Sequence, residues 1–287
     1  MKIKFFSMLI FILFFACQAF TKKNAPPDSV KYYVWIPTAI GGLNISQIAL
    51  SNWAKGGDNS IAWTLLGNFG ISYINDNWTI HNNLKFAFGR TKLGTQDFRT
   101  NDNEIYIESV LSMHLGWDVD PFISNTINTA ITKGFNFKKD PPEEIANFFD
   151  PGYITQSIGF TYDKLLGFKT RLGFAIQETF TNKYRQYSDA PETLNKQEAF
   201  KLETGLESVT SGEFHFEENF IFKSSLRLFT RYEHLDVWDI RWDSALISKI
   251  NDYINVNFGV LVIYEKKQSL KTQLREGLQL GFIYTFL

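Results

Sequence analysis

The sequence predicts an all-β protein: a signal peptide followed by one antiparallel transmembrane β-barrel, read as twelve-stranded. Three observations carry this. Apolar and polar side chains alternate with period two through about a dozen segments. The connections between those segments alternate between short and long, and aromatic residues collect at the segment ends.

The N-terminus comes first. Lys2 and Lys4 precede the apolar run Phe5 to Phe15, and Cys17 and Ala19 stand at −3 and −1 for cleavage after Ala19, so residues 1–19 are expected to be removed. A rival reading takes Phe14-Phe15-Ala16-Cys17 as a loose lipobox with Cys17 lipidated. Cleavage after Ala19 leaves no cysteine, hence no disulfide and no thiolate chemistry. No later run approaches the roughly 18 apolar residues of a spanning helix. Removal of Lys2 and Lys4 leaves 27 basic against 30 acidic side chains, which gives no electrostatic case for nucleic acid. The 28 Phe, 12 Tyr and 7 Trp suit the interfacial girdles of a barrel in lipid.

Residues 20–42 show no sustained period and read as a periplasmic lead-in. Leu43 to Leu50 alternates weakly and is the expected first strand. From Ile61 to Tyr73 the odd positions are Ile61, Trp63, Leu65, Gly67, Phe69, Ile71 and Tyr73, and the even ones are mostly small or polar: Ala62, Thr64, Asn68, Gly70 and Ser72. After Asn75-Asp76-Asn77 the apolar parity moves to Trp78, Ile80, Leu84, Phe86 and Phe88. The wet face there carries His81 and Lys85. That is a hairpin with one greasy and one wet side.

Alternation continues through 104–117, 122–132, 153–162, 166–180, 200–209, 216–232, 237–250, 253–264 and 274–286. Short turns are expected near 75–77, 117–121, 163–165, 211–213 and 251–252. Long loops are expected near 91–103, 133–152, 181–197 and 265–273, with 233–236 the short exception. Eleven strands starting at Ile61 would leave the first running inward with nothing before it. Leu43 to Leu50 supplies the missing strand, so the count is twelve and both termini are periplasmic.

The wet faces supply the candidate lumen: His81, Lys85, Glu104, Glu108, His114, Lys169, Arg171, Lys201, Glu203, Glu207, Lys223, Arg227, Arg231, Asp239, Arg241, Asp243 and Lys249. Lys223, Arg227 and Arg231 form a basic ladder facing Asp239 and Asp243 on the next strand. Mixed signs imply either internal pairing or a charged solute path. The candidate membrane-interface aromatics are Tyr73, Trp78, Trp117, Tyr162 and Tyr284 by the short turns or C-terminus, and Trp63, Tyr232, Trp238 and Tyr264 by the loops. Gln279, Gly281, Tyr284 and Phe286 match a C-terminal barrel-assembly signal displaced one residue by Leu287, so the assembly machinery and outer-membrane lipid are the expected partners.

Several segments also resemble an uncharacterised outer-membrane barrel family of the Bacteroidota, the domain of unknown function numbered 3078. They are Ile45-Ser46-Gln47 with Leu50-Ser51-Asn52-Trp53-Ala54-Lys55-Gly56-Gly57-Asp58-Asn59-Ser60, Arg99-Thr100-Asn101-Asp102, Asn147-Phe148-Phe149-Asp150-Pro151-Gly152-Tyr153 and Leu228-Phe229-Thr230-Arg231-Tyr232. The chain departs from the family at Glu265-Lys266-Lys267, where an acidic run would follow the tyrosine. The resemblance implies a barrel and no reaction.

No cofactor or metal is expected: the histidines number only four, and His81, His114, His215 and His234 lie in no Gly-x-Ser-x-Gly or His-Glu-x-x-His context. The functional expectation is a non-enzymatic channel or binding barrel for a small solute through a mixed-charge lumen. The alternatives are a plugged structural or adaptor barrel acting through its loops and, at lower weight, an outer-membrane hydrolase.

Overall fold

The computed structural model describes residues 33–287 apart from 53, 55, 191, 192, 194, 195 and 266–270. The expected signal peptide, Cys17 included, lies outside the described residues. The strands are β1 (Trp35–Ile48), β2 (Ser60–Ile74), β3 (Trp78–Leu93), β4 (Arg99–Met113), β5 (Asp120–Thr129), β6 (Gly134–Asn136), β7 (Glu143–Ala146), β8 (Gly152–Leu165), β9 (Phe168–Phe180), β10 (Phe200–Glu217), β11 (Phe220–Arg231), β12 (His234–Lys249), β13 (Ile254–Tyr264) and β14 (Gln273–Thr285). All but β6 and β7 close into one antiparallel barrel of twelve strands in chain order, with β14 returning to β1. No helix of the described residues is long and apolar enough to cross a membrane.

The pleat explains which side chains face out. Along β9, Leu172, Phe174 and Ile176 are 60, 64 and 41% exposed, while Arg171, Ala175 and Gln177 between them are buried. Polar residues are inside and apolar residues outside, the reverse of a soluble sandwich. The turns have their own chemistry. The Asn75 carboxamide oxygen accepts from the backbone N–H of Asn77 (2.9 Å) and Trp78 (2.7 Å), and Asn251 does the same for Tyr253 and Ile254. The first turn sits at 75–77, where the sequence predicts it.

Several boundaries differ from expectation. The first strand begins at Trp35, not Leu43, so part of the expected lead-in is barrel wall. Its outward positions Ala39 and Gly41 are small where the C-terminus packs over them. A Cβ on Gly41 would lie 3.2 Å from the Phe286 ring, and Phe286 N–H donates to the Ala39 carbonyl at 2.8 Å. The expected turn at 211–213 is strand: Ser211, Gly212 and Glu213 pair with Ser225, Ser224 and Lys223, and the chain turns only at 218–219. The expected loop at 91–103 shrinks to 94–98, because Thr100 and Asp102 continue β4 above the apolar belt, where no greasy parity marks them. The turn expected at 163–165 falls at Leu166-Gly167, with Gly167 at φ +74°.

Two cross-strand glycine pairs face the lumen in opposite circumstances. Gly159 opposes Gly173 between β8 and β9, and a Cβ on Gly173 would lie 2.5 Å from the Ile158 carbonyl oxygen. Gly259 opposes Gly277 between β13 and β14, where a Cβ would meet nothing within 4 Å. Gly173→Ala is therefore expected to cost about 1–3 kcal/mol by overpacking, measured by guanidinium unfolding in phospholipid vesicles. Gly277→Ala is expected to change stability by less than about 0.5 kcal/mol in the same measurement.

Candidate functional site: the lumen and its loop-side cup

Alternation on twelve strands directs the charged residues inward, and the register then decides who meets whom. The widest contact joins opposite walls. Arg241 on β12 pairs with Glu104 on β4 at 2.8 Å, with five strands between them whichever way round the barrel is counted. Asn128 on β5 donates to the same Glu104 carboxylate at 2.7 Å. Arg275 on β14 pairs with Asp102 on β4, and Arg171 on β9 pairs with Glu108 on β4. β4 is therefore an acidic rail to which three other strands send guanidinium groups.

A second cluster lies along β10 and β11. Arg231 donates to Glu203 at 2.7 Å and to Asp239 at 2.6 Å, with all three side chains less than a tenth exposed. Arg227 donates to Glu207 at 2.6 Å and to Gln177 at 3.1 Å, and the Ser157 hydroxyl donates to Glu207. Phe229 projects inward between the two arginines, fully buried, with guanidinium carbons 5.5 Å (Arg227) and 5.4 Å (Arg231) from its ring centre.

The basic ladder is thus fully engaged, though not wholly with the expected partners. Arg231 meets Asp239, but the register sets Arg227 opposite Arg241 and Ser225 opposite Asp243. Arg227 turns back to Glu207, and Lys223 to Glu213 at 2.8 Å. Lys201 lies 3.6 Å from Glu203, and Lys169 lies 3.9 Å from Asp163 at the short-turn end. Among the described residues, Lys85, Asp243 and Lys249 have no ion-pair partner. His81 bonds Ser72 at 2.7 Å, and His114 joins Thr79 (2.7 Å) to Asp120 (2.8 Å).

Above the Arg241–Glu104 contact, on the long-loop side, lies a cavity of about 260 Å³ lined by Asn101, Asp102, Glu104, Asn128, Tyr153, Arg241, Leu261, Ile263 and Arg275 among others. Ala146 and Pro151, from the connection between β5 and β8, complete its rim. That connection is more than a solvated loop. β6 and β7 pair as a short ribbon, and the Asp150 carboxylate accepts backbone N–H bonds from Asn182 (2.9 Å), Lys183 (2.8 Å) and Tyr184 (3.4 Å) in the next long loop. Glu144 accepts the Tyr184 hydroxyl and pairs with Lys133, which hold its carboxyl below the usual carboxylate range.

Sequence reasoning missed Asp102, Asn128, Phe229 and Arg275. Asp102 fell in the segment read as loop. Arg275 was recoverable by extending the parity of Gln279 and Gly281 back along the last strand. The aromatic positions fall at strand ends: Trp78, Trp117, Tyr232, Trp238 and Tyr284 are 37–56% exposed, and Tyr73, Trp63, Tyr162 and Tyr264 are half-buried. Tyr73 packs on Trp35 at 5.1 Å, and Tyr284 stacks on Tyr253 at 6.3 Å. Among the described residues no three His, Asp or Glu side chains converge as a metal site.

A profile of the family described as "Protein of unknown function (DUF3078)" matches residues 45–135, in keeping with the resemblance read from the sequence. No curated protein matches the chain. Among solved structures the chain is similar to an outer membrane channel from Pseudomonas putida F1, at 9% identity over 92% of this chain and 99% of that one, with a TM-score of 0.43. It is also similar to the translocator domain of the autotransporter NalP from Neisseria meningitidis, at 10% identity over 98% and 95%, TM-score 0.35. A third is the CymD monoaromatic hydrocarbon channel, at 11% identity over 89% and 88%, TM-score 0.35. The first and third are described as channels and the second as a translocator domain.

The buried cluster makes a sharp prediction. Arg231→Ala leaves Glu203 and Asp239 buried without their counter-ion and is expected to cost about 3–5 kcal/mol in vesicle unfolding titrations.

Proposed function

We propose that the protein is an outer-membrane binding barrel, with both termini in the periplasm, that takes a small polar solute in its loop-side cup and passes it inward through the mixed-charge lumen. The membrane reading is supported by the outward band of exposed Leu, Ile and Phe with aromatics at strand ends. The observation that carries the function is the Arg241–Glu104 pair. It spans opposite walls beneath an open cavity, so it both floors the cup and bars the path below it. Solute charges that compete for either partner would loosen the bar, which couples occupancy to passage. Gln279, Gly281, Tyr284 and Phe286 are proposed to address the chain to the barrel-assembly machinery.

In planar bilayers the native barrel is expected to give small, rare current steps, and Glu104→Ala with Arg241→Ala to raise the mean conductance by about threefold or more. A double variant that stays silent at every voltage would remove the passage reading and leave a plugged barrel acting through its loops.

A second reading rests on one observation. Thr79, His114 and Asp120 are connected as nucleophile, base and orienting acid at the short-turn rim, in the hydrogen-bond order of a hydrolase triad. The binding-barrel reading expects no turnover of p-nitrophenyl butyrate by the refolded protein. A rate that falls about a hundredfold or more in both Thr79→Ala and Asp120→Asn would establish the hydrolase instead.

A further inference from the structure

The wall of the barrel is not equally sealed all round. Between β1 and β2 the register runs unbroken for fourteen residue pairs, and between β13 and β14 for ten. Between β1 and β14 it holds for six, from Ile40↔Thr285 to Ile45↔Leu280, and then stops. Both strands continue. β1 runs to Ile48, still paired with β2, and β14 extends back to Gln273, still paired with β13. Ser46, Gln47 and Ile48 therefore lie alongside Gln279, Leu278 and Gly277 with no ladder between them. Unpaired backbone edges in lipid are costly, so a gap here needs water or a ligand to satisfy it.

Two independent observations bear on the same place. On the lumen side, Gly277 of β14 stands beyond the last β1–β14 rung, a Cβ on it or on its β13 partner Gly259 would meet nothing within 4 Å, and the next pair toward the loops, Leu261 and Arg275, lines the cup. Outside it, Glu276 projects from the outer face between Leu274 and Leu278, which are 63 and 64% exposed. A carboxylate among lipid-facing leucines is tolerable where water reaches it.

The geometry points to a lateral slot: we infer that the unzipped β1–β14 seam joins the cup to the bilayer and seats a single-chain amphiphile. Its polar head, carrying no net charge, occupies the cup, and its alkyl chain lies over the bare inner surface at Gly259 and Gly277 and leaves between β14 and β1 into lipid. The head is neutral overall because the cup's two guanidinium groups and two carboxylates already balance. Leu261 and Ile263 of β13, the strand next to β14, give the cup an apolar wall for the start of the chain. The cup's role as a solute site comes from the proposed function, while the open seam stands on its own.

The test uses the full-length protein with Cys17→Ser, in dioleoylphosphatidylcholine vesicles, and N-dodecylmaleimide as the probe. The probe is itself a single-chain amphiphile with a small polar head. Gly277→Cys, and separately Gly259→Cys, are expected to react within about tenfold of the lipid-facing Leu278→Cys. Asn83→Cys, which also faces inward but on the fully laddered β2–β3–β4 wall, is expected to react about a hundredfold more slowly. Labelling of both glycine positions as slow as that of Asn83→Cys would overturn the slot. Because this readout does not depend on current, a sealed seam would leave the solute-binding reading standing, and a silent conductance trace would leave the slot standing.

Discussion

Everything in this molecule depends on closing the sheet on itself. A strand in lipid has no water to satisfy its N–H and C=O groups, so each edge must find another edge. Twelve strands achieve this with consecutive neighbours and one return contact from β14 to β1. The return is the one barrel junction between strands that do not follow each other round the chain, and it is made by the last thirteen or so residues meeting the first strand. The C-terminal Phe286 explains the small outward residues midway along that strand: its ring lies over Gly41 and its backbone clips to Ala39.

Closure creates an interior too wide to fill with aliphatic side chains, and the chain fills it with charge. Desolvating so many ions is tolerable because they are matched. Arg231 has two carboxylates, Glu207 has an arginine and a serine, and β4 offers Asp102, Glu104 and Glu108 to three separate strands. The pairs differ in how deeply they are held. The Arg231 cluster is almost wholly buried and reads as scaffold, whereas the Arg241–Glu104 and Arg275–Asp102 contacts border the cup and keep a third to a half of each arginine exposed. Burial thus divides one polar network into a sealed part and a part that borders the cup.

The outer face was legible in the sequence and the inner pairings were not, for a physical reason. Leu172, Phe174 and Ile176 announce themselves by local alternation, and the strand count follows from such runs and their connections. Who pairs with whom across a lumen depends on register, which no single segment encodes. The sequence pattern sets Arg227 against acids on β12, yet the regular register places Arg241 opposite it and Arg227 turns back to Glu207. Above the apolar belt both faces are polar, so the parity signal vanishes and Asp102 was lost in an apparent loop. The Thr79–His114–Asp120 chain was invisible for the same reason: its members come from three different elements.

The Asp150 carboxylate gathers three backbone N–H groups from the loop between β9 and β10, while Glu144 holds Tyr184 in that loop and Lys133 in its own. Two crossings that would otherwise wander separately are thereby riveted into a single plate over the mouth. A displacement of either crossing therefore strains the Asp150 and Glu144 contacts to the other, so the two connections share one mechanical fate.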